Sequence, residues 1–254
     1  MSIHIKTESE IATMRQAGKK LAEVMSCLEK KIKPGVTTLQ IDELAERLIL
    51  ERGGRPAFKG YGGGKNPFPA TICASINNEI VHGIPSSERV LKDGDIFKVD
   101  IGLEIDGFFS DMARTFAVGE ISQQASTLIQ ATQQAFWKGI KELKEGKMLS
   151  DYSKAAEKVA VTAGFSVVRN LVGHGIGQHL HEDPQVPNYF EKGFRDLQLK
   201  AGMTLALEPM VNTGDFKTVL GSDGWVFETA DGSLSAHYEN TILITKNGVE
   251  ILTQ

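Results

Sequence analysis

The sequence predicts an α+β protein made of a duplicated helix-helix-strand-strand unit, and three observations carry that prediction. Pairs of segments with apolar residues at three- and four-residue steps occur twice, and each pair gives way to a segment that alternates apolar and polar residues. The glycines that close these helices keep a constant offset, with Gly35 to Gly146 and Gly53 to Gly164 both spanning 111 positions. Each alternating segment opens on a matching phrase, Leu91-Lys92-Asp93-Gly94 and Leu199-Lys200-Ala201-Gly202, and nine residues after each leucine stands an acid, Asp100 and Glu208.

The first helix carries Ile11, Met14, Ala17, Leu21, Val24, Leu28 and Ile32 on one face. Thr7 with Glu10 forms a capping-box pattern at its start, and Pro34-Gly35 stops it. A second helix is expected from about Thr38, with Ile41, Leu44, Ala45 and Leu48 inward, to Gly53-Gly54. In the strand that follows, Phe97, Val99, Ile101 and Leu103 share one face while Asp100 points to the other. Asp106-Gly107 supplies a hairpin signal into a partner strand over 109–116, which carries Asp111. The second half repeats the plan. A helix over 126–143 ends at Glu145-Gly146, and the next, from Ser150 with Tyr152, Ala156 and Val159 inward, ends at Gly164. Met203, Leu205 and Leu207 then oppose Glu208, and a partner strand over 235–242 carries Glu239. No linker rich in Pro, Gly or Ser divides the halves, so residues 1–254 are expected to form one catalytic domain of two related parts, about 8–118 and 122–254.

With 41% apolar and 24% charged residues, the chain has the composition of an ordinary globular protein, neither disordered nor fibrous. A net charge of -4 without a basic cluster disfavours nucleic acid as a partner. The first twenty residues alternate charge and apolarity with no signal-peptide core, and no run approaches the ~18 apolar residues of a membrane span. A cytoplasmic protein without a membrane partner is expected. Cys27 and Cys73 stand outside any C-x-x-C, so they build neither a disulfide framework nor a zinc ribbon. Cys27 falls in a helical apolar pattern and is expected in the core.

Asp100, Asp111, Glu208 and Glu239 could be unrelated surface acids, but their repeat-related placement opposite apolar faces argues for one inward cluster. Four such carboxylates repel one another and lose hydration unless cations neutralise them. An acid-rich set suits a pair of hard or borderline divalent ions. A histidine is the expected fifth ligand, with candidates His174 in Gly173-His174-Gly175-Ile176-Gly177, His179, His181, and His82 in Val81-His82-Gly83-Ile84-Pro85. The glycines beside His174, and in part beside His82, let backbone and imidazole approach a crowded centre. His4 and His237 are read as structural or solvated. Other motifs fail on spacing: Tyr61-Gly62-Gly63-Gly64-Lys65 lacks the Ser or Thr and the helix of a phosphate loop, His181-Glu182 lacks the second histidine of H-E-x-x-H, and no G-x-S-x-G elbow occurs.

The ordered set Asp100, Asp111, His174, Glu208, Glu239 resembles the five metal ligands of the methionine aminopeptidases and their pita-bread relatives. Supporting phrases are Ser75-Ile76-Asn77-Asn78-Glu79, His181-Glu182-Asp183-Pro184 and Leu234-Ser235-Ala236-His237-Tyr238-Glu239, so the resemblance covers essentially the whole chain. Only 31 residues separate Glu208 from Glu239, which leaves no room for the helical insertion of the type II enzymes and implies the short bacterial type I form. The resemblance implies a pita-bread fold with two pseudo-symmetric halves around a dinuclear site. It implies Asp111 and Glu239 bridging two ions (Co, Mn, Fe or Zn), Asp100 completing one site, and His174 with Glu208 the other. It further implies Glu208 as proton acceptor, His82 and His181 as hydrogen-bond donors beside the scissile bond, and a methionine pocket at Phe68, Cys73 and Trp225. Leu180 stands where an aromatic residue is commoner in the family. The implied substrates are N-termini of nascent polypeptides with a small second residue, met near the ribosome by a monomer. The rivals are an Xaa-Pro aminopeptidase or prolidase, which usually carries a further N-terminal domain, and an inactive relative acting as a binding module.

Overall fold

The computed structural model describes residues 3–193 and 196–254. The chain opens with α1 (Glu8–Glu29) and α2 (Thr38–Glu51). The Thr7 hydroxyl accepts from the Glu10 amide while the Glu10 carboxylate accepts from the Thr7 amide, the reciprocal cap that the sequence predicts. Thr37 and Gln40 repeat it at α2. The first helix ends at Glu29, so Ile32 packs on the core from beyond it. Cys27 is half-buried, not a core residue. Five strands follow: β1 (Arg55–Pro56), β2 (Ile72–Ile76), β3 (Glu79–Val81), β4 (Ile96–Ile105) and β5 (Phe108–Ala117). Then come α3 (Gln123–Ile140) and α4 (Leu149–Thr162). The third helix starts earlier than its periodicity suggests because the Ser122 hydroxyl caps it, accepting from the Ala125 amide at 3.1 Å. The remainder is β6 (Ser166–Val167), β7 (Gly173–Gly175), β8 (Glu182–Val186), β9 (Thr204–Leu207), β10 (Met210–Asn212), β11 (Thr218–Leu220), β12 (Phe227–Thr229), β13 (Ser235–His237), β14 (Asn240–Ile244) and β15 (Val249–Ile251).

In the first half β4 pairs antiparallel with β1, β2 and β5. The second half holds a five-stranded antiparallel sheet in the order β15-β14-β9-β7-β8 and a smaller one, β13-β10-β6. A second small sheet, β11-β12-β3, joins strands from both halves. The apolar faces of α1 and α2 (Leu21, Leu28, Ile41) cover Ile72, Phe97 and Val99, and in the second half Phe136 and Tyr152 pack with Leu205 and Ile242. The repeat has matching hydrogen bonds, from the Gly35 amide to Leu91 O (2.8 Å) and from the Gly146 amide to Leu199 O (2.9 Å). Gly35 and Gly146 take φ of 88° and 83°, where an L side chain is strained. Asp106 and Gly107, at φ 51° and 81°, make the tight turn that the sequence announces between β4 and β5.

One predicted strand is broken. Instead of running unbroken over 235–242, it divides into β13 and β14, which belong to different sheets, and its neighbour divides likewise into β9 and β10. Pro209 supplies a physical reason: the Tyr238 amide donates to Pro209 O at 3.3 Å, but proline has no N–H to return the bond. Glu208 and Glu239 sit at these two breaks.

The halves are tied beside this point. The Glu239 amide donates to Ala113 O at 2.9 Å. The Asp111 amide donates to Thr241 Oγ1, and that hydroxyl donates to Asp111 O, both at 2.9 Å. Thr241 is fully buried. The near-isosteric Thr241→Val would strand a buried N–H and a buried C=O, each costing about 1–3 kcal/mol. Urea denaturation is expected to show a loss in that range, with Thr241→Ser losing less. An unchanged midpoint for Thr241→Val would mean that this tie contributes nothing.

Candidate metal centre

Asp100 and Asp111 reach the same space from neighbouring strands because the register pairs Asp100 with Ala113 and Gly102 with Asp111, placing the two acids diagonally on one face. The two glutamates come from the strand breaks opposite. Asp100, Asp111 and Glu239 are buried, and only an edge of the Glu208 side chain reaches solvent. His174 enters on β7, which is wedged between β8 and β9. A Cβ at Gly173 would lie 2.5 Å from Ala206 O and one at Gly175 2.1 Å from Asp183 O, so the flanking glycines are what let this strand approach. His174 Nδ1 donates to Gly175 O at 2.8 Å, because a carbonyl can only accept. That bond fixes the tautomer, and the lone pair of Nε2 faces Glu208 Oε1 at 3.6 Å and Asp111 Oδ2 at 4.0 Å.

Ligand atoms of Asp111, His174 and Glu239 lie within 4.8 Å of one another. Asp100 Oδ1, Asp111 Oδ1 and Glu239 Oε1 are buried with no hydrogen-bond partner among the described residues. A cation satisfies such oxygens, so the residues present fit a divalent metal. Burial pushes Asp111, Glu208 and Glu239 well above the usual carboxylate range and Asp100 up to about 6, mutual repulsion adding to the effect at Asp111 and Glu239. Burial pulls the histidines the other way, His174 to about 3 and His82 to about 4, so both imidazoles are neutral at pH 7.

His181 lies ring-edge to His174, centroids 4.3 Å apart, and its Nδ1 is hydrogen-bonded to the Tyr61 hydroxyl. His82, at φ 61°, follows β3 in a left-handed conformation that few non-glycine residues adopt. Its ring lies 6.1 Å from that of Trp225. Phe68, Cys73, Leu180 and Trp225, together with Phe58 and Tyr61, line a cavity of about 120 Å³ that opens onto the acids and both histidines. Every site residue that the family resemblance implies therefore borders this one space, and of the four candidate histidines only His179 does not. His179 is exposed; its amide donates to Glu182 at 3.0 Å and its carbonyl accepts from the Gly177 amide at 3.1 Å.

Two neighbours were not legible in this role. His237, read as structural or solvated, is buried with Nε2 3.5 Å from Glu208 Oε2 and 3.9 Å from Glu239 Oε2. Its signal was present, since residues two apart on an extended chain share a face and it stands two before Glu239. Tyr61 lies in a glycine-rich loop, where periodicity says nothing about direction.

The chain matches the model for metallopeptidase family M24 over residues 12–246. It is 51% identical over 251 residues to the methionine aminopeptidase of Clostridium acetobutylicum, covering 99% of this chain and 98% of that one. Methionine aminopeptidase 1 of Bacillus subtilis is 47% identical, with 98% of each covered. Among solved structures, the methionine aminopeptidase of Thermotoga maritima superimposes with a TM-score of 0.95 at 45% identity, covering all of both chains. The prolidase of Pyrococcus horikoshii, at 24% identity and a TM-score of 0.78, shares the fold over 98% of this chain and 63% of its own.

The acids dictate a pH response. Without metal, folded Asp111, Glu208 and Glu239 retain protons that the unfolded chain has already released above about pH 5. Unfolding then releases protons, so metal-free stability falls as pH rises from about 6.5 to 8. In that window the histidines are largely neutral in both states; further down, protonation of the unfolded histidines opposes the trend. Denaturation midpoints in chelator are expected to drop across the window, and saturating Mn²⁺ to abolish the drop. A flat metal-free profile would show that the folded carboxylates are not held protonated in this window.

Proposed function

The chain belongs to metallopeptidase family M24, and from that premise we propose the function its site supports best: it is a methionine aminopeptidase, a metal-dependent hydrolase that removes the N-terminal methionine of newly made chains when the second residue is small. The observation that carries this reading is the junction of a buried five-residue donor set with a small apolar cavity. The donor set suits hydrolysis of a peptide bond, and the cavity suits an unbranched thioether side chain.

In this reading two divalent ions would be held by these five residues, Asp111 and Glu239 serving both, Asp100 one, and His174 with Glu208 the other. Mn, Fe, Co and Zn all suit such carboxylate-rich donors. When bound, the ions polarise the scissile carbonyl and acidify water. The other steps fall to side chains. Phe68, Cys73, Leu180 and Trp225 hold the methionine, with buried Leu180 closing the wall that an aromatic ring closes more often in the family. Glu208 accepts the proton that water loses. His181, steadied through Nδ1 by Tyr61, keeps Nε2 free to donate toward the developing oxyanion or departing amide, and His82 donates beside it. Residues 1–254 act as one catalytic unit, its halves sharing the site. No described helix is long and apolar enough to cross a membrane. We place the chain in the cytoplasm as a monomer acting on N-termini close to the ribosome.

Met-Ala and Met-Gly peptides are expected to be cleaved, and Met-Lys or Met-Phe peptides hardly at all, because His82 and His181 crowd the second position. Preference for proline second, whatever residue comes first, would move the assignment to the prolidases, and metal binding without hydrolysis would move it to an inactive binding module. The histidines separate by role. His174→Ala is expected to lose one ion by calorimetry, His181→Ala to keep metal while kcat falls about 10²–10³-fold, and His179→Ala to change little. Metal loss in His181→Ala but not in His174→Ala would reverse the assignment.

A further inference from the structure

His237 belongs to none of the roles above, yet it is placed against the acids and held there. The His237 amide donates to Thr115 Oγ1 at 2.9 Å, and the same hydroxyl donates back to His237 O at 2.8 Å. Pairing of His237 with Met210 fixes its other side. The backbone is clamped between β5 and β10, and the side chain is 1% exposed. Neither ring nitrogen has a hydrogen-bond partner among the described residues. A buried N–H is seldom left so unless its acceptor is a group whose own partner completes the arrangement.

Glu208 is the acceptor that fits. Two imidazole nitrogens flank its carboxylate, His174 Nε2 at 3.6 Å from Oε1 and His237 Nε2 at 3.5 Å from Oε2. His174 cannot supply a proton there, because its Nδ1–H is committed to Gly175 O and its Nε2 is a bare lone pair. Carboxylates that bind metal are held in turn by an outer hydrogen bond. We propose that His237 is a positioning residue whose Nε2–H donates to Glu208 Oε2, fixing that carboxylate so that Oε1 turns toward the metal on the His174 side. The inference rests on the metal-dependent reading above.

The test compares His237→Gln, whose amide can still reach and donate to Glu208, with His237→Asn, which is polar but too short, and His237→Leu, which fills the space without a donor. Co²⁺ is titrated anaerobically by calorimetry and by its d–d absorption, beside kcat and KM on a Met-Ala peptide. Loss of an outer partner typically costs about 10- to 100-fold in metal affinity or activity. His237→Leu and His237→Asn are expected to lose that much in kcat or in affinity for one ion, with KM little changed, and His237→Gln to return to within about threefold of the starting protein by the same measure. The d–d band of the first ion should keep its shape throughout, since the first coordination sphere is intact. Should His237→Leu not fold by near-ultraviolet circular dichroism, the Gln and Asn proteins decide the matter alone. A His237→Gln protein as impaired as His237→Asn, or three variants indistinguishable from the starting protein, would overturn the donor role. A changed d–d band or one lost ion in His237→Gln would overturn it in favour of direct ligation. If the unmodified protein bound no Co²⁺, the metal reading itself would fall instead.

Discussion

Four carboxylates crowded into one nearly dry space are the constraint on which the rest of the molecule depends. Each acid is delivered by backbone that is paired on both sides of it, so none can swing outward to regain water. The surrounding groups answer that demand. Arg114 donates to Glu239 O and to Asn240 Oδ1 (2.7 Å), with its guanidinium stacked 4.2 Å over the Tyr238 ring. Lys98, fully buried two residues from Asp100, donates to Asn77 O at 2.7 Å and Ser235 O at 3.0 Å, joining a turn of the first half to a strand of the second. These side chains bond to backbone and to the Asn240 side-chain amide around the acids and make no hydrogen bond to the carboxylate oxygens.

The arrangement also explains why the pocket and the chemistry are adjacent. The cavity wall is an extension of the central apolar cluster of Phe58, Phe68, Cys73, Ile176 and Leu180, and the acids form its floor. Cys73 shows the boundary. It stands directly across from Asp100 on the same face while packing with Phe58 and Phe68, and its burial, with Asp100 beside it, pushes its thiol well up from the ordinary value. A substrate side chain can therefore be desolvated within the same small volume in which its backbone meets the donors.

What was legible in the sequence follows from locality. The helix cap at Thr7, the turn at Asp106-Gly107 and the alternation along β4 are decided by neighbours within a few residues, and each is readable. The acids were legible because the duplicated plan places them at related positions, and their common destination was recognisable through a family resemblance. The break at Pro209 was not read, because it depends on a missing N–H opposite Tyr238, a partner 29 positions away. His237 is harder to place, because its one local signal is its two-residue spacing from Glu239 and the chain changes sheets between the two. Leu180 was placed by motif, and its burial in the cavity wall needed the fold.

The paired breaks carry one more consequence. Glu208 stands where the chain leaves the five-stranded sheet for the smaller one and Glu239 where it returns, so both acids sit at the seam between two sheets that share no ladder there. In the proposed reading, an ion held by both glutamates and by Asp111 would act as a rivet between these sheets and β5. Its removal would loosen that join first, so amide protection along β9, β10, β13 and β14 would become a gauge of how fully the centre is loaded.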